Sequence, residues 1–219
     1  LRHAKRNNPG VALLFIDPDE FKEINDSFGH NLGDQLLQKV SERLKKHVRD
    51  NDTISRLGGD EFTIIVEDIA NSNDAARVAQ TLLNVFNQPI ELDEQLHISL
   101  SIGISLYPDD ADQPEALIRN ADTAMYRAKA AGKNRYEFYT QEMTDQAFER
   151  ILIIGALRNA IEHEQFVLHY QPQIDLRDNR IIGAEALIRW KDPQMGTIEP
   201  ARFIPIAEKT GMIRMIDHW

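Results

Sequence analysis

The sequence predicts a mixed α/β fold (α+β), one central sheet of about five strands flanked by helices. Three observations carry this. Val11–Ile16 is an unbroken run of six apolar residues, the mark of a strand buried on both faces. Gly58-Gly59 stands between two apolar runs, a hairpin signal. Residues 96–106 alternate, with Leu96, Ile98, Leu100, Ile102, Ile104 and Leu106 set against His97, Ser99, Ser101, Gly103 and Ser105. That period predicts a strand with one core face.

The elements follow in order. The first strand, Val11–Ile16, is expected to stop at Pro18. Phe21–Phe28 reads as a short helix ended by Gly29. Asn31 is placed to cap a longer helix reaching about Arg49, with Leu32, Leu36, Leu37, Val40 and Leu44 on one face. Thr53–Leu57 and Phe62–Val66 are the two arms of the hairpin. Asn73 is placed to cap a helix through Phe86, with Ala75, Val78, Leu82 and Phe86 inward. After the alternating strand, Pro114 opens a helix and Gly132 closes it. Tyr136–Tyr139 is a short last strand. If the first and third strands are antiparallel neighbours, as in ferredoxin-like folds, Asp17 and Asp60 share a site at the ends of adjacent strands.

Beyond Tyr139 the pattern changes. Residues 140–164 read as a linker helix or the opening of a second domain, with Ala147, Ile151, Ile154, Leu157 and Ile161 at helical spacing. Phe166–Ile174 and Ile181–Trp190 are strands around a turn at 176–179, and another helix starts near Ala201. About 80 residues with two strands are too few to close a core and read as the front of something longer.

With 219 residues there is room for one large or two modest domains. No run of about 18 apolar residues exists, so no membrane contact is expected within these residues. The absence of cysteine excludes disulfides and thiolate metal sites and fits the cytosol. The chain opens at what reads as a helix end. A segment upstream, even one attached to a membrane, is compatible with that. A net charge of −10 excludes a general nucleic-acid binder. An anionic ligand would need local cations, for which Lys22, Arg56, Arg127, Lys129, Lys133 and Arg135 are candidates. The acids are more pointed. Asp60 and Glu61 follow the Gly-Gly turn, and Asp17, Asp19 and Glu20 follow the first strand. A turn without Cβ atoms admits a close approach by phosphate, and carboxylates there suit a hard cation such as Mg²⁺.

Three segments together resemble the GGDEF family of diguanylate cyclases: FIDPDEFKEINDSFGHNLGD at 15–34, RLGGDEF at 56–62 and ADTAMYRAKAAGKNR at 121–135. The resemblance covers residues 1–140 and implies the nucleotidyl-cyclase palm fold. Residues 141–219 resemble a linker helix and the start of an EAL-family cyclic-di-GMP phosphodiesterase. That match rests on LHYQPQIDL at 168–176 and GAEALIRW at 183–190, and it implies the opening of a TIM-like barrel.

The family resemblance implies condensation of two GTP molecules into 3′,5′-cyclic-di-GMP and two pyrophosphates, by two facing GGDEF domains of a homodimer. It implies that Asp17, Asp60 and the carbonyl of Pro18 hold the metal, Mg²⁺ or Mn²⁺, with two ions per site. Proline keeps that carbonyl where most members carry an aliphatic residue. Asp60 or Glu61 matches the proton acceptor, and Lys22, Lys129 and Lys133 match phosphate-binding cations. Asn25 and Asp34 match the guanine-reading pair, and His30 lies in the same motif. Taken alone, Asn25 reads as a helix-closing residue, His30 as structural and the lysines as favourable helix-end charges. Arg49 and Asp52 match an Arg-x-x-Asp product-inhibition site, against the plain alternative of a solvated helix end. In the EAL-like segment Glu185 matches a metal carboxylate, and Gln171 and Arg189 match ligand contacts. The remaining ligands and the catalytic lysine have no counterpart up to Trp219, so hydrolysis is not expected of these residues. The competing function is a catalytically idle GTP-binding module that regulates an attached phosphodiesterase.

Overall fold

The structure is a computed structural model that describes residues 10–92 and 95–218. The chain divides into two compact units at Thr144/Asp145. The first unit is built on a five-stranded sheet in the order Thr53–Gly58 (β2), Glu61–Ile69 (β3), Gly10–Pro18 (β1), Leu100–Tyr107 (β6) and Arg135–Phe138 (β7). At its centre β1 (Gly10–Pro18) pairs antiparallel with β3 (Glu61–Ile69) on one side and β6 (Leu100–Tyr107) on the other. Ala12, Leu14 and Ile16 enter the main core, while Leu13 and Phe15 face the other way and pack with Ala121 and Met125. An apolar run without alternation is what a strand covered on both faces requires. The strand continues through Pro18, which stands opposite Leu100. Proline lacks a donor but keeps its carbonyl and is tolerated at a strand end. The break comes at Asp19-Glu20 instead.

Helix α1 (Phe21–Phe28) is followed directly by α2 (His30–Lys45). The residue between them, Gly29, takes φ +84 and is the N-cap of α2. Asn31 therefore lies inside the helix and caps nothing, because the reversal needs a left-handed φ that glycine supplies without strain. Leu36, Leu37, Val40 and Leu44 are buried, with Leu32 half-buried. The helix ends four residues short of Arg49. Strand β2 (Thr53–Gly58) then forms the hairpin with β3. Helix α3 (Ser72–Phe86) buries Ala75, Ala79, Leu82, Leu83 and Phe86 and leaves Val78 half-buried. Its cap is Asn71 and not Asn73: the Asn71 side chain accepts the Asn73 N–H at 2.9 Å from an extended backbone, the geometry a cap needs.

The alternating stretch is interrupted. Gln95–Leu96 is a short β5 paired with β4 (Ile90–Glu91), and β6 starts only at Leu100. Its polar face is not solvated either, for Ser101 and Ser105 are fully buried. Helix α4 (Pro114–Ala130) lies over them. Ser105 donates its hydroxyl to the Leu117 carbonyl at 2.8 Å, satisfying the buried group. Gly103 leaves no room even for a methyl group: a Cβ there would stand 1.9 Å from the Ala121 carbonyl oxygen and 2.1 Å from the Met125 nitrogen. Small residues at alternate positions thus mark a helix seat rather than a solvent face. Strand β7 (Arg135–Phe138) runs parallel to β6 at the sheet edge.

Helix α5 (Gln141–Glu162) leads into the second unit. There β8 (Phe166–Asp175), β9 (Arg180–Asp192) and β10 (Gly196–Ile198) form an antiparallel sheet, followed by α6 (Pro200–Thr210) and α7 (Ile213–His218). The buried face of α5 is Ile153, Leu157 and Ala160, whereas Ile151 is exposed, so the predicted stripe is rotated. Contrary to expectation these residues do close a small core, around Phe166, Trp190 and Phe203 at one end of the hairpin. The rest of the hairpin stays open, with Tyr170, Ile181 and Ile182 exposed.

Candidate active site

Two strand ends make the site. Ile16 of β1 stands opposite Phe62 of β3, so one step further Asp17 and Pro18 lie beside Glu61 and Asp60. Gly58 pairs with Glu61, which leaves Gly59-Asp60 as a two-residue connection. Gly59 takes φ +54, and Arg56 closes the loop by donating Nε and Nη2 to its carbonyl at 2.8 and 2.6 Å. Asp60 and Glu61 are half-buried.

Asp17 follows Leu13 and Phe15 on the α4 side of the sheet. On α4, Ala121, Met125 and Lys129 recur every four residues and so share a face. The two rows meet, and Lys129 Nζ lies 2.7 Å from Asp17 Oδ2. Asp17 is only 6 % exposed. Burial pushes its carboxyl up to about 6 although Lys129 pulls it down, and the charges of Asp60 and Asp19 add to the upward push. Burial also raises Asp122, on the same helix, against the pull of Lys129.

Asp19 holds the surroundings together. Its carboxylate accepts from Ser99 Oγ and Ser101 Oγ, both at 2.6 Å, and from the Asn134 N–H at 3.2 Å. These bonds tie the β1–α1 turn to β6 and to the loop after α4. Ser99, Ser101 and Asn134 were not singled out from the sequence; two serines one strand period apart were the available signal. In that loop Lys133 reaches Glu20 Oε1 at 3.0 Å.

The other candidates group around the α1–α2 junction. Asn25 is half-buried, with Gly33 of α2 directly beneath it: a Cβ at 33 would fall 1.8 Å from Asn25 Oδ1. That oxygen is buried and without a hydrogen-bond partner. Asp34 is the next residue on α2 and is exposed, as are Lys22 and His30. Arg49 and Asp52 lie apart from the strand ends, in a turn after α2. The Arg49 N–H donates to Asp52 Oδ2 at 3.0 Å, and both line a cleft with Asp74 and Arg77 of α3. Arg77, ion-paired to Asp74, was not marked by any motif. In the second unit Gln171 and Glu185 are direct cross-strand partners and exposed, and Arg189 lies four residues further along the same face of β9.

Among the described residues no three acidic or histidine side chains converge as a ready-made cage. The donor set at the strand ends still fits Mg²⁺, which is held by one or two carboxylates together with substrate phosphates. Asp17 is desolvated and feels the charge of Asp60, so a bound cation relieves both costs.

Residues 1–135 match the family model described as diguanylate cyclase, GGDEF domain, and residues 154–219 match the EAL domain. The chain is 46% identical over 220 residues to the bifunctional diguanylate cyclase/cyclic di-GMP phosphodiesterase MucR of Pseudomonas aeruginosa, covering all of this chain and 32% of that protein. It is 40% identical over 220 residues to the cyclic di-GMP phosphodiesterase NbdA of the same organism, again over its whole length and 28% of the relative. The chain thus spans about a third of the length of these curated relatives. Among solved structures, the GGDEF domain of YfiN (TpbB) from Pseudomonas aeruginosa superimposes with a TM-score of 0.62 at 40% identity, over 64% of this chain and 88% of that one. The chain belongs to the GGDEF family of diguanylate cyclase domains, continued by the first part of an EAL domain.

Proposed function

We propose that residues 1–140 are an active diguanylate cyclase module that condenses two GTP into cyclic-di-GMP and two pyrophosphates, and that residues 141–219 are the linker helix and opening segment of an EAL domain. The observation that carries the reading is the meeting of Asp17 and Asp60 at adjacent strand ends, with Lys129 on the buried carboxylate. Asp17, Asp60 and the Pro18 carbonyl are the groups that would hold two Mg²⁺ or Mn²⁺ ions. When bound, the metal neutralises phosphate charge and sharpens the 3′-hydroxyl as a nucleophile. Lys22, Lys129 and Lys133 bind and orient the triphosphate. Asn25 offers its side-chain amide and Asp34 its carboxylate to the guanine edge, a fit supported by their adjacency across the α1–α2 junction, where His30 flanks them. Asp60 or Glu61 takes the proton from the 3′-hydroxyl. Each 3′-oxygen attacks the α-phosphorus of the other GTP and pyrophosphate leaves. One site holds one GTP, so a second copy of the module has to face the first.

The experiment is incubation of the protein with GTP and Mg²⁺, with nucleotides separated by chromatography. Cyclic-di-GMP and pyrophosphate are expected, with a rate rising faster than linearly in protein at low concentration. Asp60→Ala removes turnover while the circular dichroism spectrum is kept, because a half-buried turn acid supports no core. No product from folded wild-type protein rejects the proposal.

A second reading is favoured by the resemblance to NbdA, whose name carries only the phosphodiesterase activity. In it the GGDEF module binds GTP without turnover and regulates the EAL domain, whose Glu185, Gln171 and Arg189 belong to a metal and ligand site completed elsewhere. GTP binding without product is its signature in the same experiment. No helix among the described residues is long and apolar enough to cross a membrane; we place the module in the cytoplasm, where GTP is available.

A further inference from the structure

We propose that Glu20 is a built-in competitor for the triphosphate: its carboxylate occupies Lys133 in the empty site and yields that ammonium to a phosphate oxygen when nucleotide binds. This rests on reading residues 1–140 as a GTP-binding module.

The pair joins two turns 113 residues apart, with Lys133 Nζ 3.0 Å from Glu20 Oε1. Neither turn depends on the pair for its shape. Asp19 clamps both, accepting from Ser99, Ser101 and the Asn134 N–H. Within that clamp Glu20, Lys133 and Asn134 all take left-handed backbone angles, φ 60, 62 and 47. The root of the Lys133 side chain is thus fixed by the backbone, and neutralising Glu20 leaves that root in place. Glu20 is the N-cap residue of α1 yet makes no side-chain cap bond, so its carboxylate has no helical duty to lose.

The two lysines of the rim differ in a way that matters. Lys129 is held by Asp17, whose side chain is 8 % exposed, whereas the Lys133–Glu20 pair is 43 % and 64 % exposed. An exposed pair contributes little and exchanges partners readily. A single carboxylate holds Lys133 against a ligand of comparable charge, and a polyphosphate carrying several charges displaces it. Glu20 therefore lowers the affinity of a phosphate that takes up Lys133, by the modest amount an exposed pair is worth.

The test is calorimetric binding, with Mg²⁺, of a GTP analogue whose α,β bridge is a non-cleavable methylene, so that turnover plays no part. Glu20→Gln is expected to bind the analogue about two- to fivefold tighter than wild type, the scale of an exposed ion pair. Glu20→Asn, whose side chain tolerates a left-handed φ, is expected to move in the same direction. The gain vanishes in a Lys133→Ala background and shrinks as salt is raised. Unchanged or weaker binding by both Glu20 variants overturns the proposal while the GTP-binding reading stands. A gain that persists without Lys133 also overturns it, since Glu20 would then act as a diffuse charge. A wild-type protein that is folded and binds no analogue overturns the GTP-binding reading and this inference together.

Discussion

Asp17 shows how much of a single residue's chemistry the chain fixes and how much the fold adds. Its type and its place after an apolar run are visible in the sequence, but its ionisation is not. In the unfolded chain its carboxyl titrates near 3.8, and in the folded chain near 6. Between those values the folded state carries the extra proton. The contribution of this group to stability therefore rises as pH falls from about 6 to about 4, and above 6 it is a constant cost. Cation binding at the proposed metal site would run the other way and weaken as pH falls through about 6, because a protonated carboxyl is neutral and no longer attracts the ion. Denaturation midpoints of wild type and Asp17→Asn, followed over this window, are expected to diverge: the variant lacks the extra rise toward acid pH. Parallel curves would show that Asp17 titrates as an ordinary exposed acid.

At the scale of elements, the seat of α4 on β6 positions Lys129. Gly103 lets the two backbones approach until a methyl group no longer fits, with the Ala121 oxygen and Met125 nitrogen in the way. Both obstacles are backbone atoms and cannot rotate aside. Gly103→Ala is expected to push the helix off the sheet and to cost about 3 kcal/mol, the upper end for overpacking. It should also weaken nucleotide binding, because Lys129 lies two turns along from Ala121 on the displaced helix. Urea denaturation measures the first effect and nucleotide titration the second. Full stability in the variant would mean that the contact relaxes at no cost. The sequence carried a trace of this seat in Ser101, Gly103 and Ser105, but alternation reads the same whether water or a helix covers the small face. The same ambiguity turned the α5 stripe, where Ile151 faces out and Ile153 faces in. A helix apolar on several sides does not reveal which side a neighbour will cover.

At the scale of the whole molecule, the proposed condensation needs two copies, so whatever fixes their orientation would regulate it. Arg49 and Asp52 line a cleft against α3, away from the strand ends. An arginine fork there can make two charge-assisted bonds to a product phosphate. Cyclic-di-GMP bound at this cleft is expected to inhibit non-competitively with GTP, by no more than its preference for the unproductive arrangement. Arg49→Ala should abolish that inhibition and leave the initial rate nearly unchanged. Initial rates against added cyclic-di-GMP decide it, and identical inhibition of wild type and variant would return the pair to a solvated turn.

The sequence by itself determined the family, the order of the elements and the two acidic turns, because motif chemistry and local periodicity are properties of neighbouring residues. It even placed Asp17 beside Asp60, once the topology was taken as antiparallel. What only the tertiary structure decided are the relations between residues far apart in the chain. Lys129 on Asp17, Lys133 on Glu20, and Asp19 bonded to Ser99, Ser101 and Asn134 all span more than 75 positions. No local propensity encodes such pairs. They arise because sheet register and helix seating bring separate segments to one rim, where burial raises the Asp17 carboxyl.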